Sequence, residues 1–476
     1  MIYDLENFKE NSLDINYDIC ISGAGAAGIT LAIKLSEFGF KVILCEAGSE
    51  DYTDISQKNY IGNVNGDPYF DLDVARLRYL GGTTNHWNGM CRPFEKVDFK
   101  RKYLGEQFIW PIKYEEILKY QNEACKILEI TNNFITNNPN DELIRRINFQ
   151  HSPPVRFKDK YINEIKRSKN LTLILNSNLK DIQGETNLIT SAVFENYNNK
   201  TISINAKKFI FSMGGIENSR YLLWFAKKYK SKYFDANCPI GKYWMEHPHF
   251  TLGSALVDKK VTKNIYYSID EKMQQRFKIL NCGFRVQEIS HKQTNEKIKE
   301  IMCIAPRLGM KIASLFEKRL VCGARLFAAW EQEPNISNEI KLTQNLSPLG
   351  IPIIELNWKK TPFDRNTIKQ SINLLNEWLL EKDLGRVQLH DWLMKNKNYP
   401  EYEELAGYHH MGGTRMSNSK KYGVVDNNCK VFGSENLYIA GSSIFTTGGH
   451  NNPTLPIVQF SLRLADHLYK TKTKLN

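Results

Sequence analysis

The chain has 476 residues, 42% hydrophobic and 12% aromatic, which can build a sizeable core but is too long for a single ordinary one, so two interleaved domains are expected. Its formal charge is +12, yet the lysines are scattered among Asn, Glu and Asp. The one dense run, Tyr469 to Lys474, suits a solvated terminus, so no nucleic-acid partner is expected. No run of 18 or more apolar residues occurs, so no membrane-spanning helix is expected, and the polar, acidic start does not resemble a secretory signal. A cytoplasmic location is the expectation. The nine cysteines include no CxxC pair, which argues against common zinc and dithiol spacings and for reduced thiols.

In chain order, Tyr17 to Ser22 reads as a short buried strand. Gly23-Ala24-Gly25-Ala26-Ala27-Gly28 then opens a helix with Ile29, Ala32, Ile33 and Leu35 at apolar positions, Gly39 ends it, and Lys41 to Glu46 forms a second strand. This is the βαβ context that gives a GxGxxG pattern its meaning as a dinucleotide site. Gly23 allows the tight turn, Gly25 lets the backbone approach a pyrophosphate, and Gly28 lets the helix pack closely. The helix N-terminus offers unpaired amides to phosphate, and Glu46 can accept from ribose hydroxyls. A glycine-rich turn without a ligand is the competing reading, and the fingerprint does not separate NAD from FAD.

The segment from Arg78 to Gly89 contains Gly81, Gly82, Thr83, Thr84, Asn85, His86 and Trp87, a composition suited to a loop laid along a flat ligand. The region 235–400 mixes strand-like runs such as Phe250 to Leu256 with one clear helix. That helix is expected to start at an N-cap Asp364, to bury Ile368, Ile372, Leu375 and Leu379, and to stop near Gly385. Cofactor-type signals return after residue 405. The expected fold is therefore α/β: a Rossmann-like domain of residues 1–234 plus 405–476, with an α+β substrate domain, 235–404, inserted into it.

On these motifs the chain resembles the glucose–methanol–choline oxidoreductases, and within them it is most similar to the pyranose 2-oxidase-like sugar-oxidising flavoproteins. The front of the chain carries the resemblance through Gly23 to Gly28, Glu46 and the Gly81-to-Trp87 loop. Lys208 to Arg220 resembles the family's strand and glycine turn beneath the flavin, and Gly241 to Pro248, with its Glu246-His247-Pro248, the family's lead into the substrate domain, with His247 read as structural. The most specific block is His410-Met411-Gly412-Gly413-Thr414, followed by Gly441-Ser442 and Asn452-Pro453-Thr454-Leu455. One departure is that Trp87 directly follows His86, where the commoner loop has Asn.

The resemblance implies FAD, bound by Gly23, Gly25, Gly28, Glu46, Gly81, Gly82, Thr83, His86, Gly441, Ser442 and Thr454, with a covalent link through His86 as an open alternative to dissociable FAD. It implies a small-molecule alcohol of the sugar or polyol class as substrate, and leaves the electron acceptor unassigned. It places His410 as the catalytic base and Asn452 as the second catalytic residue, with His450 as a further polar contact and His409 facing away as on a strand. An imidazole suits the base because its neutral form is available near neutral pH, and an amide can orient an alkoxide without taking its proton. A flavoprotein lyase and a non-enzymatic nucleotide-binding protein are the alternative classes. A lyase would not show substrate-dependent flavin bleaching, and a mere scaffold needs neither His410 nor Asn452.

Overall fold

The computed structural model describes residues 1–7, 16–135, 142–262, 266–288, 320–401, 403–405 and 407–473. The strand Asn16–Ser22 lies inside the main sheet and pairs in parallel with Val42–Cys45 on one side and Thr201–Phe211 on the other. Val42–Cys45 is buried at every position, as a parallel strand covered on both faces must be. Outward from it come Leu171–Leu175 and Ile2–Asp4, both parallel. Beyond Thr201–Phe211 the sheet turns antiparallel through Leu188–Glu195 and Asn178–Glu185, while Leu437–Ile439 pairs in parallel with the end of Thr201–Phe211. The helix Ala26–Glu37 packs against the long final helix, Thr454–Thr473, so both ends of the chain complete one layer.

A second sheet is antiparallel throughout, in the order Gly385–Leu389, His249–Asp258, Leu320–Trp330, Cys282–Glu288, Tyr266–Ile269, Ile144–Ile147. Its strands alternate. Phe250, Leu252, Leu326, Trp330, Phe284 and Val286 join a buried core with Ile368, Ile372, Leu375 and Leu379 of the helix Pro362–Glu381. The opposite face carries His249, Phe327, Ala329, Gly283, Arg285 and Tyr266, and these border a cavity. A third small sheet joins Glu339–Leu346, Pro352–Trp358 and Gly62–Gly66.

Mixed α/β architecture is thus as expected, and no helix among the described residues is long and apolar enough to cross a membrane. We retain the division at 234/235 and 404/405 as a proposal, with the qualification that sheet membership crosses it. Ile144–Ile147 forms an edge of the second sheet, and Gly62–Gly66 pairs with Pro352–Trp358. The helix start is corrected. Thr361, not Asp364, is the N-cap: its side chain accepts from Asp364 N at 3.2 Å, Asp364 Oδ2 accepts from Thr361 N at 2.7 Å, and Pro362 stands at the first turn. Gly385 is not the helix stop but the first residue of a strand. At φ +133° its backbone lies so close to Leu256 that a Cβ would come within 2.1 Å of that carbonyl oxygen. The seven cysteines whose side chains are described are unpaired and buried, and Cys303 and the side chain of Cys322 lie outside the described part of the chain.

Candidate active site

One cavity of about 830 Å³ runs between the parallel sheet and the open face of the second sheet, within the range of sites that take cofactor-sized ligands. Its first end is the Gly23-to-Gly28 turn. Gly23, at φ +100°, donates to Cys45 O at 2.8 Å, so the chain reverses directly off the strand. A Cβ on Gly28 would lie 1.9 Å from the Gly23 carbonyl oxygen, so the helix can sit this close only with glycine there. Gly25 caps the helix with no side-chain bond, leaving first-turn amides for a ligand, and a Cβ there would meet nothing within 4 Å. The same open space stands beside Gly214 and Gly441, both on the cavity wall. Glu46 lies at this end, its Oε2 accepting from Ala24 N at 2.8 Å and its Oε1 from Gly48 N at 2.9 Å. Burial raises its pKa while these amides oppose the rise. Each oxygen keeps acceptor capacity for a ribose hydroxyl. An open glycine cradle, a bare helix end and a fixed acidic acceptor fit a dinucleotide.

The Gly81 loop forms the next part of the wall. Gly82 faces Gly25, so that a Cβ would lie 3.2 Å from the Gly25 Cα. Arg156 ties the loop down, donating to Thr84 O at 2.8 Å and Trp87 O at 2.9 Å, and Trp87 Nε1 donates to Val155 O at 2.8 Å. Thr83 Oγ1 accepts from Leu77 N at 3.3 Å. His86, held in this braced loop, is exposed and borders the cavity. Ser442 borders it too, but its hydroxyl is engaged in a 2.6 Å bond to the His410 carbonyl, which fixes that backbone. Thr454 opens the long C-terminal helix, presenting a second helix N-terminus to the cavity.

His410 and Asn452, expected from the C-terminal motifs, border this same cavity. His410 is backed by Trp244 at 5.8 Å and by Tyr69 at 6.2 Å between ring centres, and Tyr69 packs on Trp358 at 5.0 Å. Burial in this cage, with Arg76 adding repulsion, pushes its pKa down to about 3, so the imidazole is neutral. His410 Nε2 lies 3.1 Å from the Tyr69 hydroxyl, which in turn donates to Glu246 Oε2. Glu246 also accepts from His247 N at 2.8 Å and His409 N at 2.8 Å. With Glu246 ionised, Tyr69 donates to the carboxylate and accepts from His410 Nε2–H, which leaves Nδ1 as the basic nitrogen (a tautomer assigned from the network). Burial raises Glu246 to about 7, so this arrangement switches near neutral pH.

The expectation that His409 faces away is corrected. The segment is not a strand, Tyr408 has φ +52°, and both adjacent histidines border the cavity. His409 Nδ1 lies 2.8 Å from His247 Nδ1, and His247 Nε2 is bonded to Gly449 O at 2.7 Å. His247 thus links His409 to the Gly449 carbonyl, and its tautomer makes His409 Nδ1 the donor. His450 also borders the cavity, but Nδ1 lies 3.4 Å from Ser268 Oγ and its buried Nε2 is 3.7 Å from Glu95 Oε1. Its ring thus faces the ion-pair group of Glu95, Arg92 and Arg145. Sequence reasoning missed Tyr69, Arg76 and Arg285. It met Glu246 in the Glu-His-Pro segment without assigning it a role, although an acidic residue directly before a buried histidine was a usable signal.

Comparison with known proteins gives three results. Residues 334–461 match the family model described as GMC oxidoreductase. Over 540 aligned positions the chain is 22% identical to 2-methyl-1,2-propanediol dehydrogenase of Mycolicibacterium austroafricanum, covering 95% of both chains. It is 21% identical to the fructose dehydrogenase large subunit of Gluconobacter japonicus, covering 95% of this chain and 97% of that one. Among solved structures, pyridoxine 4-oxidase from Mesorbium loti superposes with a TM-score of 0.59 at 15% identity, over 95% of this chain and 99% of the other.

Proposed function

We propose that the chain, which matches the GMC oxidoreductase family model over residues 334–461, is an FAD-dependent enzyme of that kind that oxidises an alcohol group on a sugar or polyol, with His410 as the base. One observation carries the reading: the cavity that includes the glycine cradle is also lined by a neutral, braced imidazole, His410, and by Asn452, an amide with no partner among the described residues. The names of two relatives, a diol dehydrogenase and a fructose dehydrogenase, support a hydroxylated substrate.

Bound FAD supplies the hydride acceptor, and the chain supplies everything else. His410 takes the hydroxyl proton, and Asn452 holds the oxygen as donor and acceptor. Tyr69 fixes the imidazole rotamer, and Glu246 lies two hydrogen bonds from the ring, where its charge favours the protonated product of that step. We keep the covalent link through His86 as part of the proposal, since that side chain is exposed at the cavity on a braced loop. An anaerobic screen of sugars, polyols and simple alcohols, followed by flavin absorbance, tests the reading. Sugars or polyols should bleach the flavin, and His410→Ala should slow bleaching by about 10² to 10⁴ with FAD retained. Benzyl alcohol outrunning every polyhydroxylated compound would overturn the substrate class.

A further inference from the structure

The far wall of the cavity is built by the second sheet, and its chemistry is set by strand register. Ser268, Gly283, Ala329 and His249 form one cross-strand row. Tyr266, Arg285, Phe327 and Thr251 form the next, roughly 7 Å further along the strands. Directly opposed residues share a face, so both rows look the same way, toward the cavity. At the centre the wall is flat: a Cβ on Gly283 would meet only the Ala329 carbonyl oxygen, at 3.7 Å, so there is room above it for a ligand.

Arg285 stands beside this open floor. Its guanidinium lies over the Tyr266 ring at 5.8 Å, and among the described residues it makes no hydrogen bond and no ion pair. That sets it apart from the other arginines of the cavity. Arg76 is bonded to Glu217 at 2.6 Å, and Arg78 to the Tyr197 hydroxyl at 2.7 Å. Among the described residues the only carboxylates on the cavity wall are Glu217 and Glu46, and both are satisfied, by Arg76 with Arg220 and by backbone amides. A guanidinium with five donors and no acceptor, held by an aromatic face beside an empty floor, is arranged to receive planar or tetrahedral oxyanions from outside the chain. Its position is tied to the reaction end. His249, one row away, is lowered to about 4 by burial first and then by His247 and Arg285, and His409, beside His410, is lowered in part by His249.

We propose that Arg285 is a specificity residue that binds an oxyanionic group on the substrate, so that the alcohol oxidised here belongs to a hydroxylated acid or a phosphorylated polyol rather than to a neutral sugar. This rests on the reading of the site as an alcohol-oxidising one and narrows its substrate class. The test uses FAD-loaded enzyme and two matched pairs, D-glucitol with D-gluconate and D-glucose with D-glucose 6-phosphate, in anaerobic flavin reduction. One anionic member should exceed its neutral partner at least tenfold in kcat/KM, and the pair that responds identifies carboxylate or phosphate as the group. Arg285→Gln should collapse that preference, mainly through KM, and Arg285→Lys should restore part of it. A second measurement needs no turnover: titration of oxidised enzyme with succinate and with inorganic phosphate, read by the flavin spectrum. Binding of one of them should weaken at least tenfold in Arg285→Gln. Equal use of both members of each pair, or anion affinity unaffected by the substitution, overturns the proposal. If no alcohol bleaches the flavin while anion binding still depends on Arg285, the alcohol-oxidation reading falls and the anion site stands.

Discussion

Removing the Tyr69 hydroxyl should slow flavin reduction about tenfold, because that oxygen is the only bridge between His410 and Glu246. Tyr69→Phe keeps the ring against Trp358 and Trp244, at 5.0 and 5.7 Å, so the cage around the imidazole persists. Two costs follow. The buried His410 Nε2 and one Glu246 oxygen each lose a partner, which lowers stability by about 1–3 kcal/mol. The rate effect is separate. When the neutral imidazole accepts a proton, its bond to Tyr69 becomes charge-assisted and roughly doubles in strength, a gain of about 1–1.5 kcal/mol present only once the proton has moved. Since 1.36 kcal/mol is a factor of ten, the loss should be about tenfold, well short of that for His410→Ala. Stopped-flow flavin reduction across pH separates this from simple loosening. The parent rate should rise as Glu246 ionises near 7, and Tyr69→Phe should lose that limb while retaining FAD. An unchanged rate and pH profile with only a lowered Tm would make Tyr69 structural and refute the coupling.

Further outcomes are expected. Gly25→Arg places a long side chain into open space in the cradle, so the purified variant should be colourless; normal flavin content would show that the pyrophosphate lies elsewhere. Acid precipitation should leave flavin in the pellet if His86 is bonded to it, whereas a yellow supernatant over a white pellet removes that link from the proposal. Stability should hold between about pH 5 and 7 and fall steeply below about 4.5. The lowered histidines, His410 and His450 at about 3 and His249 at about 4, give stability that is full above 6.5 and lost as pH falls through those values. The raised carboxyls, Glu246 and Asp364 at about 7, act oppositely: their contribution is full at low pH and lost as pH rises through 7. Below the carboxyls' unfolded range His249 is largely protonated in both states, so the unfolded chain binds about two more protons, at His410 and His450, a slope of roughly 3 kcal/mol per pH unit. A Tm that already collapses between pH 6.5 and 5.5 would contradict this balance.

What could be read from the chain was what the chain keeps adjacent. Gly23, Gly25 and Gly28 lie within six residues and Glu46 directly follows the next strand, so turn, helix end and acceptor are all set by local geometry. The histidine motif was readable for the same reason. His409 was misplaced because strand alternation was assumed for a segment in which Tyr408 turns through a left-handed conformation. Thr361 and Asp364 are both good cap residues, and only the capping box, with Pro362 after the threonine, decides between them. Tyr69 and Arg285 were hidden for a different reason. They lie in stretches that share no spacing with the motifs: Tyr69 meets His410 and Glu246 only across long sequence separations, and Arg285 reaches the cavity through strand register.

That register bears on how the base is made competent. An imidazole held near 3 is available as a proton acceptor but holds the proton weakly, because burial and Arg76 both disfavour its charged form. Alcohol deprotonation therefore needs negative charge close to His410 at the moment the proton arrives. Glu246 supplies it from behind, through Tyr69, once it has ionised. On the cavity side the described wall offers no carboxylate of its own beyond Glu46 and Glu217, and presents Arg285 instead. An oxyanion bound at Arg285 would neutralise that guanidinium, whose charge acts on His249, and so remove a positive charge from the wall of the cavity that His410 also borders. A substrate carrying that group would thus raise the basicity of the imidazole that attacks it, and a neutral analogue would not. On this account the two proposals meet in one measurement. The anionic substrate should gain in kcat as well as in KM, and Arg285→Gln should remove the kcat part only for the anion. A preference confined to KM would mean that Arg285 holds the substrate without touching the electrostatics of the proton transfer.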